Sequence, residues 1–187
     1  HGDMEHYYQA KKRLFDMCDT AVVNFDDEYG RRLLKELECP VTTFSCENDE
    51  ADTIAHNIKC GARESTFALL HNGGLHRIRF PMAGRFSVSN ALAAAVTCMA
   101  AGVDTESVVT GLAECRGVPG RIEILDTGTP YTVIRDYAHS PDGLEKILTS
   151  VREFAPARVV VLFGCAGNRD RTKRAKMAEI AARLADF

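Results

Sequence analysis

The 187-residue chain has 45% hydrophobic and 26% charged residues, a balance that can bury a core and excludes a disordered polypeptide. Its formal net charge of −3 leaves no electrostatic footprint for nucleic acid or an anionic membrane surface, and no apolar run approaches the roughly 20 residues that span a bilayer. Seven scattered cysteines without a C-x-x-C pair argue against a zinc site or a disulfide framework and for reduced thiols in a cytoplasmic protein.

The opening, His1-Gly2-Asp3-Met4-Glu5, carries neither an initiator methionine nor a signal-peptide apolar region. The first helix is expected over about Asp3 to Cys18, with Tyr7, Leu14, Phe15 and Cys18 as its apolar stripe. Lys11 falls inside that stripe, while Lys12 and Arg13 point elsewhere. A lysine so placed either snorkels its ammonium to water or is held neutral by burial. A neutral amine adds carbon dioxide to give a carbamate, a carboxylate on a long arm that suits a hard cation such as magnesium.

A short strand, Ala21-Val22-Val23, runs into the acidic turn Asn24-Phe25-Asp26-Asp27, which opens a helix through Leu33, Leu34 and Leu37. Pro40 ends that unit and Val41 to Cys46 reads as a strand. Ser65 to Leu70 and Leu75 to Phe80 flank His71-Asn72-Gly73-Gly74, the signature of a β-hairpin. An alanine-rich helix, about Val88 to Ala101, reads as buried, and Asp104 or Thr105 caps another to about Glu114. Composition then shifts at Arg116-Gly117-Val118-Pro119-Gly120, a candidate domain linker.

Beyond it the expected order is strand (Tyr131 to Arg135), helix (Pro141 to Phe154), strand (Arg158 to Phe163) and helix (Thr172 to Leu184), the alternation of a parallel sheet with crossover helices. About 70 residues make half of a doubly wound domain. Asp136-Tyr137-Ala138-His139-Ser140-Pro141 lies where a strand ends and a helix begins, the edge at which open parallel sheets bind ligands. Gly164-Cys165-Ala166-Gly167-Asn168-Arg169-Asp170 occupies the next such edge, and Arg169 offers a planar fork to a carboxylate or phosphate. Neither segment is a dinucleotide fingerprint, and no phosphate loop occurs anywhere in the chain. Arg171, Lys173 and Arg174 read as solvated charges at a helix start, and Arg121 in Gly120-Arg121-Ile122-Glu123 as a surface ion pair or a phosphate contact.

Together, these segments resemble the Mur ligase family, and within it the enzymes that add the third residue of the peptidoglycan stem peptide. The resemblance is carried in order by His1 to Tyr7 through Ala10-Lys11 and Leu14-Phe15, Val23-Asn24 with Asp26-Asp27-Glu28, Gly84 through Asn90, Pro119 to Glu123, Asp136 to Pro141, and Gly164 to Arg174. It implies an α/β fold. Residues 1–116 would be the later part of a central ATPase domain, a mixed sheet with helices and a β-hairpin region. Residues 117–187 would be the first half of a Rossmann-like C-terminal domain.

By position it matches Lys11 to a carbamylated lysine that supports a magnesium ion, and Asn90 to an asparagine near the adenine of ATP. It matches Arg121, Asp136 and His139 to residues facing ATP, and Arg169 to an arginine that grips the carboxylate of the incoming amino acid. Ser87 departs from the asparagine often found there. The phosphate loop, the remaining magnesium ligands, the nucleotide-sugar domain and the later specificity motif would lie in other portions of the same enzyme. The implied cofactors are ATP and Mg2+. The implied partners are small molecules, UDP-N-acetylmuramoyl-L-alanyl-D-glutamate and a diamino acid (meso-diaminopimelate or L-lysine), with no nucleic acid and no membrane. Rival readings are a folylpolyglutamate or cyanophycin synthetase-like ligase, a nicotinamide-binding oxidoreductase, and a non-catalytic nucleotide-binding protein.

Overall fold

A computed structural model describes residues 3–165 and 170–187, and these fall into two compact units. One comprises His1–Ile58, Thr66–Arg79 and Val88–Glu114; the other comprises Lys59–Ser65, Phe80–Ser87 and Cys115–Phe187. No helix among the described residues is long and apolar enough to cross a membrane.

The first unit begins with α1 (Met4–Lys12), started by Asp3, whose carboxylate accepts the His6 N–H at 2.8 Å. The helix is shorter than its apolar spacing suggests. From Leu14 onward the backbone closes i→i−3 bonds (Leu14 N–H to Lys11, Met17 N–H to Leu14), and a 3₁₀ turn over Phe15–Met17 replaces the expected run to Cys18. Its buried face also differs. Tyr8 is 6% exposed, whereas Tyr7 and Leu14 are 43% and 57% exposed and Lys11 stands on their open side. Within this fold Lys11 is therefore not buried, and the reading that burial alone neutralises its amine is corrected.

The side chain that does turn inward is Lys12, four residues from Tyr8. Its Nζ donates to Glu36 at 2.7 Å. Arg32 completes the fastening: Nη1 and Nη2 reach the two oxygens of Glu5 at 2.6 and 2.9 Å, Nε reaches Glu36 at 3.0 Å, and the guanidinium lies 4.2 Å from the centre of the Tyr8 ring. Arg32 belongs to α2 (Glu28–Leu33), which follows β1 (Ala21–Asn24). The small core beneath is Tyr8, Ala21, Val23 and Leu33. Asp27 caps α2 by accepting the Gly30 N–H at 2.9 Å, and Gly30 lies so close under β1 that a Cβ there would meet the Asn24 carbonyl oxygen at 2.1 Å.

Strands β2 (Val41–Ser45) and β3 (Thr53–Cys60) continue the sheet in parallel, with Ala21 opposite Val41 and Phe44 opposite Thr53. β4 (Ser65–His71) and β5 (Gly74–Phe80) complete a five-stranded sheet in the order β1-β2-β3-β4-β5. The hairpin turn is the expected Asn72-Gly73, both at positive φ (47° and 75°), as a two-residue turn of this hand requires. Helix α3 (Arg85–Ala100) buries Val88, Ala91, Leu92, Ala95 and Val96, one face at helical spacing, and α4 (Thr105–Ala113) starts at Asp104.

In the second unit β6 (Glu123–Leu125) and β7 (Val133–Arg135) pair antiparallel, a pairing absent from the expected strand–helix alternation. Helices α5 (Pro141–Phe154) and α6 (Thr172–Leu184) have the limits their caps and periodicity predict. They pack Leu144, Ile147 and Leu148 against Met177, Ile180 and Ala181. The segment expected as a strand over 158–163 is not a regular strand. It is nonetheless tied to residues after α6, through Asp186 N–H to the Val159 carbonyl and Val161 N–H to the Phe187 carbonyl, both 2.8 Å.

Two predictions follow from these contacts. Gly30→Ala forces α2 off β1 and destabilises the protein by about 1–3 kcal/mol, as overpacking does; an unchanged denaturation midpoint would refute the contact. The second concerns acid. Arg32, then Gln9, hold the Glu5 carboxyl down to about 2 from 4.5. A lowered carboxylate stabilises above its unfolded value and loses that contribution as pH falls toward the folded one. Amide-exchange protection of α1 should therefore fall between pH 4.5 and 2. In Arg32→Gln it should be weaker at pH 7 and fall less across that window, because the Asp3 cap and the Lys12–Glu36 pair remain, and a trace superimposable on wild type would show that Arg32 does not hold the helix.

Candidate functional site

The candidate residues divide between the two units: Lys11 and Asn90 in the first, Arg121, Asp136 and His139 in the second. Lys11 occupies the last turn of α1. Its Nζ stands 5.6 Å from the centre of the Tyr7 ring and forms no ion pair among the described residues. The contrast with Lys12 is chemical: an ammonium bonded to Glu36 is held protonated, its pKa raised by that partner, whereas Lys11 has no such anchor. Asn90 is exposed on α3, with its side chain open to solvent.

In the second unit two turns are locked together by one carboxylate. Asp136 follows β7, and its Oδ2 accepts the Ile122 N–H at 2.9 Å while Oδ1 accepts the Ala138 N–H at 2.8 Å. Ile122 is β-branched yet sits at φ 40°, a strained conformation for such a residue; the Asp136 bond and the burial of its side chain (6% exposed) hold it there. The chain before it is a tight turn in which the Arg121 N–H bonds the Val118 carbonyl at 3.0 Å. The composition shift at 116–120 thus marks an ordered turn. Glu123 secures its other side, accepting the Gly120 N–H at 2.6 Å and both Nε and Nη2 of Arg135 across the β6–β7 pair.

This bracing brings side chains of both turns to one exposed edge. The Arg121 guanidinium lies 5.2 Å from the centre of the Tyr137 ring, and that ring packs edge-on, 5.1 Å from the ring of His139. His139 Nδ1 bonds the Tyr137 carbonyl at 3.1 Å; a carbonyl only accepts, so Nδ1 carries the hydrogen and Nε2 of the neutral ring is a free acceptor. Lys173, read from sequence as a solvated charge, donates to the His139 carbonyl at 3.0 Å and ties the start of α6 to this edge. Ser140 caps α5 through the Gly143 N–H at 3.2 Å, with Pro141 in the first turn.

Arg121, Asp136 and His139 are therefore one assembly, in which Asp136 braces and the other two present free polar groups. Tyr137 joins them and was not singled out by sequence reasoning, although a large aromatic between an aspartate and a histidine at a sheet edge was its available signal. Arg32 left no signal, because its partners are remote in sequence. Arg169 lies outside the described residues.

Residues 1–98 match the Mur ligase middle domain, and residues 120–187 match the Mur ligase, glutamate ligase domain. The chain is 46% identical over 191 residues to the UDP-N-acetylmuramoyl-L-alanyl-D-glutamate–2,6-diaminopimelate ligase of Streptomyces avermitilis, covering 100% of this chain and 38% of that protein. It is 40% identical over 195 residues to the ligase of the same name from Bacillus velezensis, covering 100% and 40%. Among solved structures, a UDP-N-acetylmuramoyl-L-alanyl-D-glutamate–2,6-diaminopimelate ligase superposes with a TM-score of 0.73 at 30% identity, covering 99% of this chain and 39% of that one. MurF from Acinetobacter baumannii shares the fold at a TM-score of 0.84 and 22% identity, over 100% and 41% of the two chains. The chain thus spans about two fifths of the length of the relatives it matches. With the middle-domain match alone covering more than half of its residues, the chain belongs to the Mur ligase family.

Proposed function

We propose that this chain is part of an ATP-dependent ligase that joins 2,6-diaminopimelate to UDP-N-acetylmuramoyl-L-alanyl-D-glutamate in the cytoplasm, during peptidoglycan precursor synthesis. The observation that carries the reading is the braced edge of Arg121, Tyr137 and His139, in a chain whose whole length aligns with relatives of that name. Diaminopimelate is preferred to L-lysine because those relatives are named for it. The reaction is activation of the glutamate carboxylate as an acyl phosphate by the γ-phosphoryl group of ATP, attack by the amine, and expulsion of phosphate from the tetrahedral intermediate.

The residues of this chain meet part of that demand. Arg121 presents a permanent positive charge and His139 a free Nε2 at an edge open to a nucleotide, while Asp136, with both oxygens engaged, holds the two turns in place. A solved relative, MurF ligase from Thermotoga maritima, is described in complex with ADP, and it shares this fold at a TM-score of 0.79 and 18% identity. Asn90, exposed on α3, is proposed to face the adenine. Lys11 fits the role of a carbamate because its amine is reachable and bonded to no carboxylate among the described residues; magnesium, when bound, would supply charge neutralisation beside it. Arg169 is proposed to hold the carboxylate of the diamino acid. The domain limits proposed are 1–116 and 117–187.

Turnover by the full-length enzyme tests the assignment of Lys11. Lys11→Ala should reduce kcat by several orders of magnitude, and added short-chain carboxylates should restore part of it by standing in for the carbamate; wild-type turnover in the alanine variant would remove Lys11 from the site. For Arg169, a charge-assisted bond to a carboxylate contributes roughly 1.5–3 kcal/mol, or about 10–100-fold in affinity. Arg169→Ala should raise the KM for the diamino acid by that factor and leave the KM for ATP close to wild type. Equal rises in both would reassign the residue.

A further inference from the structure

Between the Pro81–Ala83 segment and the loop from Arg116 to Ile124 the second unit holds a cavity of about 270 Å³. Three arginines line it: Arg63 from the turn between β3 and β4, Arg116, and Arg121. Four other guanidinium groups among the described residues are matched to carboxylates, Arg32 to Glu5 and Glu36, Arg135 to Glu123, Arg152 to Asp186, and Arg183 to Glu145. Arg63 and Arg116 meet no carboxylate among the described residues, and the partner of Arg121 is the ring of Tyr137.

One carboxylate does line the cavity, and it is already committed. Glu123 accepts the Gly120 N–H and two N–H groups of Arg135, and these bonds, the first most of all, hold its carboxyl below the usual range. It stays ionised and leaves the three arginines uncompensated. Like charges gathered around a concave surface repel one another, so the arrangement favours an anion. The kind of anion follows from donor count. One guanidinium fork satisfies both oxygens of a carboxylate, whereas three forks exceed what it can accept and suit the several oxygens of a tetrahedral phosphate.

We infer that this cavity is a binding site for a phosphate dianion, held by Arg63 and Arg116 together with Arg121. The inference rests on the ligase reading and adds Arg63 and Arg116 to its binding residues. The same chemistry has two sources in such a reaction, the terminal phosphate of the nucleotide and the inorganic phosphate released at the end.

Calorimetric titration of the full-length protein with inorganic phosphate, ADP, AMP and acetate tests it without requiring turnover, so a failed ligase assay and a failed phosphate site are told apart. Arg63→Gln/Arg116→Gln should bind inorganic phosphate or ADP about 10-fold or more weakly, with AMP and acetate within twofold of wild type. Loss for phosphate assigns the site to the released product; loss confined to ADP assigns it to the nucleotide. Lysine at both positions keeps the charge but not the fork and should lose an intermediate amount. Because both side chains are exposed, melting temperatures should match wild type, and the lysine variant carries the test if the glutamine variant does not fold. The proposal is overturned if wild-type protein binds neither phosphate nor ADP, if both affinities stay within twofold in the glutamine or, failing that, the lysine variant, or if acetate weakens as much as phosphate.

Discussion

The second unit depends on a carboxylate that joins two turns of the backbone. Asp136 accepts one backbone N–H from each of two turns, and through them it fixes where Arg121, Tyr137 and His139 stand. A carboxylate bonded to two amides is worth more than a neutral acceptor would be, and here it opposes a definite cost, the positive φ of Ile122. The strain is local and the brace is local, so the edge can be rigid without a large core beneath it. Gly84 plays a smaller part in the same packing: at φ 89°, a Cβ there would press on Ile122 and Ser150 at 3.2 Å, so the chain passes close to α5 only as glycine.

A different device positions α1. The helix buries one aromatic ring and little else, and its hold on α2 comes from Glu5, Lys12, Arg32 and Glu36 arranged as alternating charges. Those groups are partly solvated, so single pairs would contribute little, but a bidentate guanidinium shared between two carboxylates has defined geometry and restricts rotation of the helix. Adjacent lysines on one helix thereby acquire opposite fates. Lys12 is consumed by the fastening and Lys11 is turned away from it.

How far the sequence could be read followed the locality of the forces. The limits of α5 and α6 were legible because Ser140, Pro141 and the spacing of Leu144, Ile147 and Leu148 act within the helix itself, and the Asn72-Gly73 hairpin was legible for the same reason. Strand β3 was missed: it buries Thr53, Ile54 and Ala55 consecutively, then alternates after Asn57 at φ 51°, so no single period runs through it. The β6–β7 pairing was missed because its cross-strand partners, Glu123 and Arg135, announce nothing alone. In the second unit, the turn that carries Asp136 and His139 between β7 and α5 could be located from the order of strand and helix signals. The inward face of α1 could not, since it is decided by Arg32 and Glu36, which lie far along the chain.

The two helical regions are consequently secured by forces that respond oppositely to the solvent. Mobile ions at about 1 M shrink the reach of exposed charges to roughly 3 Å, which loosens α1, the helix that carries Lys11. The α5–α6 pairing rests on buried apolar side chains with Met177 fully enclosed, and sulfate strengthens such burial because it is excluded from the protein surface. A crystallisation liquor rich in sulfate would therefore hold the second unit firmly while freeing the first helix of the other, and low ionic strength is the condition under which both are kept in place.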